Sequence, residues 1–136
     1  MTPLTPWVQV ALPIRSHEGV WYSECSRIWN PIHTDVAAAT ASGLPAPIVH
    51  GTLTMAKCVS YIVKTYGFGD PHRVTRVRVD RFLAPVFMPS EVALRVKRVR
   101  RTHSHVSVSF EAVTQEGELA ISDGVVLMKN DVRSKL

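Results

Sequence analysis

GTLTMAKCVSYIVKTYG, Gly51 to Gly67, is the stretch on which the fold turns. Met55, Val59, Ile62, Val63 and Tyr66 recur at helical spacing, while Lys57, Ser60 and Lys64 fall on the other side. Thr52 to Tyr66 should therefore form one amphipathic helix, stopped by Gly67. Beyond it the period changes to two. Val77 and Val79 alternate with Arg76, Arg78 and Asp80, Val92, Leu94 and Val96 with Arg95 and Lys97, and Val106, Val108 and Phe110 with Ser107, Ser109 and Glu111. Glu116 to Glu118 reads as a turn and Leu119 to Met128 as the last strand, with Gly124 marking a bulge. One long apolar helix followed by antiparallel strands predicts the α+β class, with the sheet wrapped around the helix. Such a sheet leaves an edge to cover, which predicts a dimer.

Upstream of the helix, Val8 to Leu12 alternates as a first strand that Pro13 ends. Val20 to Ile28 reads as a second extended stretch. Pro31 to about Ser42 reads as a short helix with Gly43 as its stop and the loop GLPAP beyond. At 136 residues and 15.1 kDa the chain is expected to be one domain, 1–136, with a core over about 7–128 and a tail over 129–136.

Composition narrows the function classes. Apolar residues make up 46% and charged residues 20%, as in ordinary soluble globular chains. No apolar run approaches the roughly 18 residues of a membrane span, and MTPLTPWVQV lacks a signal peptide's basic start, so an intracellular protein without a membrane partner is expected. Cys25 and Cys58 lie far apart with no CxxC, which predicts free thiols. His103 and His105 share a strand face without a third ligand, and no metal site is expected. His17 and His72 fall in loops. The net charge is +5, and RVKRVRR (Arg95 to Arg101) holds five of the sixteen basic residues. That run is either a solvated strand face or a footprint for an anionic partner, such as a CoA phosphate or an acidic carrier protein. Nucleic acid is not expected, because no aromatic residue interrupts the run and no recognised module surrounds it. The terminal Ser134-Lys135-Leu136 spells a peroxisomal address in a eukaryote, whereas in a bacterium the same chain would be cytoplasmic.

Two helix starts carry chemistry. In WNPIHTD, Trp29 to Asp35, Asn30 suits an N-cap and Pro31 the first helical position. His33 then falls in the first turn, where the positive end of the dipole favours a neutral imidazole, a usable general base near neutral pH. In PIVHGTLTM, Pro47 to Met55, Gly51 lets a ligand approach the backbone and Thr52 can cap the long helix. Free amides at that start could hold the oxygen of a polarised carbonyl. His50 reads as a packed or hydrogen-bonded residue rather than a catalyst.

Taken together, NPIHTD (Asn30 to Asp35), GLPAPIVHG (Gly43 to Gly51) and the long helix after them resemble the MaoC-like family of (R)-specific enoyl-CoA hydratases (hydratase 2) and related dehydratases. The resemblance covers roughly residues 20–128. It implies a dimeric hotdog fold and the reversible hydration of a trans-2-enoyl thioester to the (R)-3-hydroxyacyl thioester. Carried over by position, His33 is the catalytic histidine, Asn30 its supporting asparagine and Gly51 the glycine whose amide meets the thioester oxygen, with His50 and Thr52 beside it. No cofactor is implied; CoA or a carrier protein belongs to the substrate.

The chain departs from the family at one position. The family's aspartate belongs two residues before the asparagine, and here that residue is Ile28. Glu24 would lie about 13 Å away along an extended strand, and Asp35 would face away on the helix. Glu18 or a residue of a partner subunit remains as a replacement. The reading is a hydratase or dehydratase acting on an enoyl or 3-hydroxyacyl thioester, or a related β-hydroxy carbonyl compound. A one-base isomerase or cyclase is the nearest alternative. A non-catalytic acyl-binding subunit, paired in a hetero-oligomer with an active paralogue, is another. A hotdog thioesterase would need a carboxylate on the long helix, and Thr52 to Tyr66 has none.

Overall fold

The structure is a computed structural model that describes residues 8–130. The Ser134-Lys135-Leu136 address and the first seven residues lie outside the described residues. The elements run β1 (Val8–Ile14), α1 (Glu18–Ser26), a 3-10 turn (Pro31–His33), α2 (Val36–Ala41), α3 (Gly51–Tyr66), a second 3-10 turn (Pro71–Arg73), β2 (Val74–Arg78), β3 (Arg81–Phe82), β4 (Ser90–Arg101), β5 (His105–Thr114) and β6 (Leu119–Lys129). Their strands make one antiparallel sheet in the order β1-β4-β5-β6-β2, with β3 also paired to β6. The α+β hotdog arrangement follows from the alternation of the strands. Leu94, Val96, Val106, Val108, Phe110, Val126 and Met128 all point inward onto α3, and their polar neighbours point out.

The helix meets the sheet through a stripe displaced from the expected one. Thr54, Cys58 and Ile62, one turn apart, are its most deeply buried residues, while Met55, Val59 and Tyr66 are half-buried around them. A threonine and a cysteine weaken the apolar signal of that stripe, and the sheet's curvature decides the face. The helix also begins one residue earlier than expected, at Gly51, with His50 in the N-cap position and no side chain capping it. Gly124 sits where β6 passes under Phe110. A Cβ there would lie 2.4 Å from the ring, and Phe110 is fully buried. The bulge is next to it: Glu111 faces the two residues between Ile121 and Gly124, and Asp123 takes a positive φ of 47°.

Three local readings are corrected. Val20 to Ile28 is not extended; most of it belongs to α1, closed by Arg27 in the left-handed conformation. The buried face of α1 is Gly19 and Ser23, so no apolar periodicity marks it. A Cβ at Gly19 would meet the His33 carbonyl at 2.3 Å, so only glycine lets the helix sit against the 3-10 turn. The helix expected over Pro31 to Ser42 is two pieces. Its first turn is 3-10, and Asp35 then restarts the chain as the N-cap of α2, accepting from the Ala37 amide at 2.9 Å. Pro13 does not end β1, because β1 is an edge strand where a missing donor is tolerated.

Candidate active site

The turn that carries His33 is stitched to the segment entering α3. Asn30 Oδ1 accepts from the Ile32 amide at 3.2 Å, which caps the turn that Pro31 begins. The Ile48 amide donates to the Ile32 carbonyl at 3.1 Å. Nδ1 of His33 in turn lies 2.7 Å from the Ile48 carbonyl. On its other side this segment is held by the strand-like stretch after β3, through Val49 N–H to Val86 carbonyl (2.8 Å) and Met88 N–H to Pro47 carbonyl (3.0 Å).

The Ile48 contact fixes the tautomer. A carbonyl oxygen only accepts, so Nδ1 of His33 carries the proton and donates. In the neutral ring Nε2 is then the nitrogen with a free lone pair. His33 lines a cavity of about 200 Å³ together with Gly51, Thr54, Phe82 and Val86. The walls are mainly apolar, and among the described residues none of those lining it is an aspartate or glutamate. Gly51 is the first residue of α3, where the geometry of a helix leaves its amide without an intrahelical acceptor. A Cβ on Gly51 would lie 2.8 Å from Cδ1 of Phe82, so the ring closes over the glycine itself.

His50 is packed and bonded. It is 3% exposed, its ring stacks on His33 with centroids 3.8 Å apart, and its Nε2 lies 3.3 Å from Ser23 Oγ and 3.4 Å from the Ile28 carbonyl. Burial, and then the charge His33 would carry, holds the His50 imidazole below the ordinary histidine range, so the ring rests neutral against its neighbour. Thr52 turns away from the cavity and accepts from the Tyr22 hydroxyl at 2.7 Å, tying α1 to α3. Ile28 contributes its carbonyl to His50 while the residue is 44% exposed.

The other acidic residues near the motif are occupied or distant. Glu18 pairs with Lys57 and accepts from the Arg15 amide, Asp35 caps α2, and Glu24 is exposed on α1. None of them lines the cavity. One polar group there was missed by sequence reasoning. Thr54 is 2% exposed, its hydroxyl has no hydrogen-bond partner, and it lies one turn after Gly51 on the buried stripe. A threonine amid apolar positions at i, i+4 and i+8 was the available signal. The described residues hold no cluster of histidine, cysteine or acidic side chains fit for a metal ion.

The family model of the MaoC like domain matches residues 3–118. The chain belongs to the MaoC-like domain family. Over 66 residues, 48% of its length, this MaoC-like chain is 38% identical to a protein of Arabidopsis thaliana named enoyl-CoA hydratase 2, peroxisomal, and covers 21% of it. The chain spans about a fifth of the length of the curated relatives it matches. Among solved structures it is similar to an (R)-hydratase from A. caviae involved in PHA biosynthesis, with a TM-score of 0.76 and 25% identity over 94% of this chain and 96% of that one. It shares the fold of a chain in the ChsH1-ChsH2 complex from Mycobacterium tuberculosis, with a TM-score of 0.74 and 16% identity over 96% of this chain and 100% of that one.

Proposed function

We propose that the chain is a hydratase or dehydratase acting between a trans-2-enoyl thioester and the 3-hydroxyacyl thioester. The observation that carries the reading is the Nδ1 contact of His33 with the Ile48 carbonyl, which leaves Nε2 as the free base on a ring that lines the same cavity as Gly51. Nε2 takes a proton from water as the water oxygen bonds to C3. The C2–C3 π electrons move to C2 and onto the thioester oxygen, which the Gly51 amide holds. The imidazolium then returns its proton to C2, so one base serves both transfers and no proton is left over. Asn30 supports this through the backbone turn it caps. His50 holds the His33 ring flat, and the CoA or carrier portion of the substrate stays outside the reaction.

Dimerisation belongs to the same reading. The outward side of α3 has an open hollow of about 550 Å³ lined by Ala56, Val59, Val63, Pro71 and Val74, which suits a second copy. The absence of a carboxylate at Ile28 favours a second reading, in which an active paralogue supplies that group and this chain contributes part of the acyl site. No helix among the described residues is long and apolar enough to cross a membrane.

The test is hydration of crotonyl-CoA and of a longer trans-2-enoyl-CoA, followed by loss of enone absorbance. The wild type should turn over, and His33→Ala should lose about 10²–10⁴ in rate. Equal rates for the two proteins would end the one-base hydratase. Activity only in Ile28→Asp, or only with a paralogue added, would favour the second reading instead.

A further inference from the structure

The basic run that the active site does not use acquires a shape in the folded sheet. Registers across four strands bring together two rows on the outer face, away from α3. One row reads Arg78, Val125, Ser109, Arg98 and the other Arg76, Leu127, Ser107, Arg100, taken from β2 through β6 and β5 to β4. Their inward neighbours Val106, Val108, Val126 and Met128 are buried, which fixes these eight positions on the solvent side. All four arginines are exposed and the four residues between them are half-buried. The result is a trough with an apolar and hydroxyl floor and a cationic wall on each side. On the β2 side its floor deepens into a hollow of about 250 Å³.

None of the four arginines has a carboxylate within ion-pair distance among the described residues. Glu111 and Asp123, two acidic residues further along this face, are engaged by Arg95 and Lys97. Four like charges in so small an area repel one another, and an anionic occupant relieves that repulsion.

We propose that this trough docks an acidic amphipathic helix of a partner protein. Three inter-strand steps put the two walls about 14 Å apart, and an α-helix with its side chains is about 10–12 Å across. Along each wall the arginines are about 7 Å apart, close to the roughly 6 Å rise between carboxylates at i and i+4 of a helix. Val125 and Leu127 meet the helix's apolar stripe while its flanking carboxylates reach Arg76 and Arg78 on one side and Arg98 and Arg100 on the other. A nucleic-acid backbone offers no apolar stripe to that floor. The inference is independent of the reaction assigned to His33.

The experiment uses a fluorescein-labelled synthetic helix of about five turns, with leucine at i, i+3, i+4 and i+7 and glutamate on both flanks, titrated against the full chain by anisotropy. A version with lysine in place of glutamate and a labelled DNA duplex of equal charge run beside it. Saturable binding of the acidic peptide is expected, weakened at least about tenfold by Arg76→Glu combined with Arg98→Glu. Leu127→Ser should also weaken it, with the melting temperature unchanged in both variants. No binding of the acidic peptide, or binding that both variants leave intact, overturns the proposal. Tighter binding of the duplex than of the acidic peptide, indifferent to Leu127→Ser, makes the face a nucleic-acid surface and overturns it as well.

Discussion

Alanine at position 51 keeps the backbone N–H, so it tests how closely a substrate must approach that amide. The new Cβ lands 2.8 Å from Cδ1 and 3.2 Å from Cε1 and Cγ of Phe82. Carbon atoms in contact sit about 3.5–4.0 Å apart, so the ring edge must retreat by about 1 Å. Phe82 is 47% exposed and can swing toward solvent. The cost should therefore stay on the scale of surface substitutions, about 0.5 kcal/mol. Replacing glycine at a helical position returns about 0.4–1 kcal/mol through the unfolded chain. The two effects offset, and the melting temperature should move by no more than about 3 °C. Activity should not be spared. The methyl and the displaced ring both change the wall that Gly51 shares with His33, and a misplacement of about 1 Å in the bound substrate costs about 10²-fold in rate. Initial rates of crotonyl-CoA hydration, with melting curves on the same samples, distinguish the two effects. A folded Gly51→Ala protein with kcat within about threefold of wild type refutes the need for a glycine's close approach at that amide. A large fall in melting temperature instead refutes the estimate of how freely Phe82 moves.

His50 gives the pH dependence a sign. Its folded ring accepts a proton at lower pH than the unfolded ring does, so the unfolded state binds more protons in between; stability is full above about pH 6.5 and falls as pH drops through that window. Melting temperatures measured from pH 8 down to pH 5 should show a decline that His50→Gln reduces, and an unchanged decline would assign it to another group. Thr54→Val removes a buried hydroxyl without a partner and keeps the shape, so it should raise stability by about 1 kcal/mol in denaturant melts. A loss of stability would mean that the hydroxyl is hydrogen-bonded in solution. The thiol of Cys58 is buried and pushed up to about 12, whereas Cys25 is exposed. A thiol reagent at pH 8 should modify one cysteine in the folded protein and two after denaturation; two rapid modifications without denaturant would contradict the burial.

The sheet was readable because β4, β5 and β6 each bury one face, and a strand with one wet face writes its register as strict alternation. Periodicity fails at α1 for a definite cause. Its buried residues are Gly19 and Ser23, small enough for the helix to touch the His33 carbonyl, and small residues leave no hydrophobic period to count. The break between the 3-10 turn and α2 is equally hidden. On one continuous helix Asp35 would face away from His33, whereas in the structure its side chain caps a new helix. The carboxylate is kept from the cavity by its bond to the Ala37 amide, which is local capping chemistry and not helical phase.

At the site, the contiguous motifs located the residues but not their relations. Asn30, Pro31 and His33 announce a capped turn because capping is local chemistry. The stacking of His33 on His50 joins positions seventeen apart, and it depends on the bond between the Ile48 amide and the Ile32 carbonyl. The protonation of His33 is less visible still. Nδ1 is committed by the carbonyl of Ile48, a group that every amino acid would supply at that position. A motif reports side chains, so no pattern of residue types could have marked this contact. Yet it is the contact that leaves Nε2 free, and the proposed chemistry rests on it more than on any side chain whose identity the sequence displays.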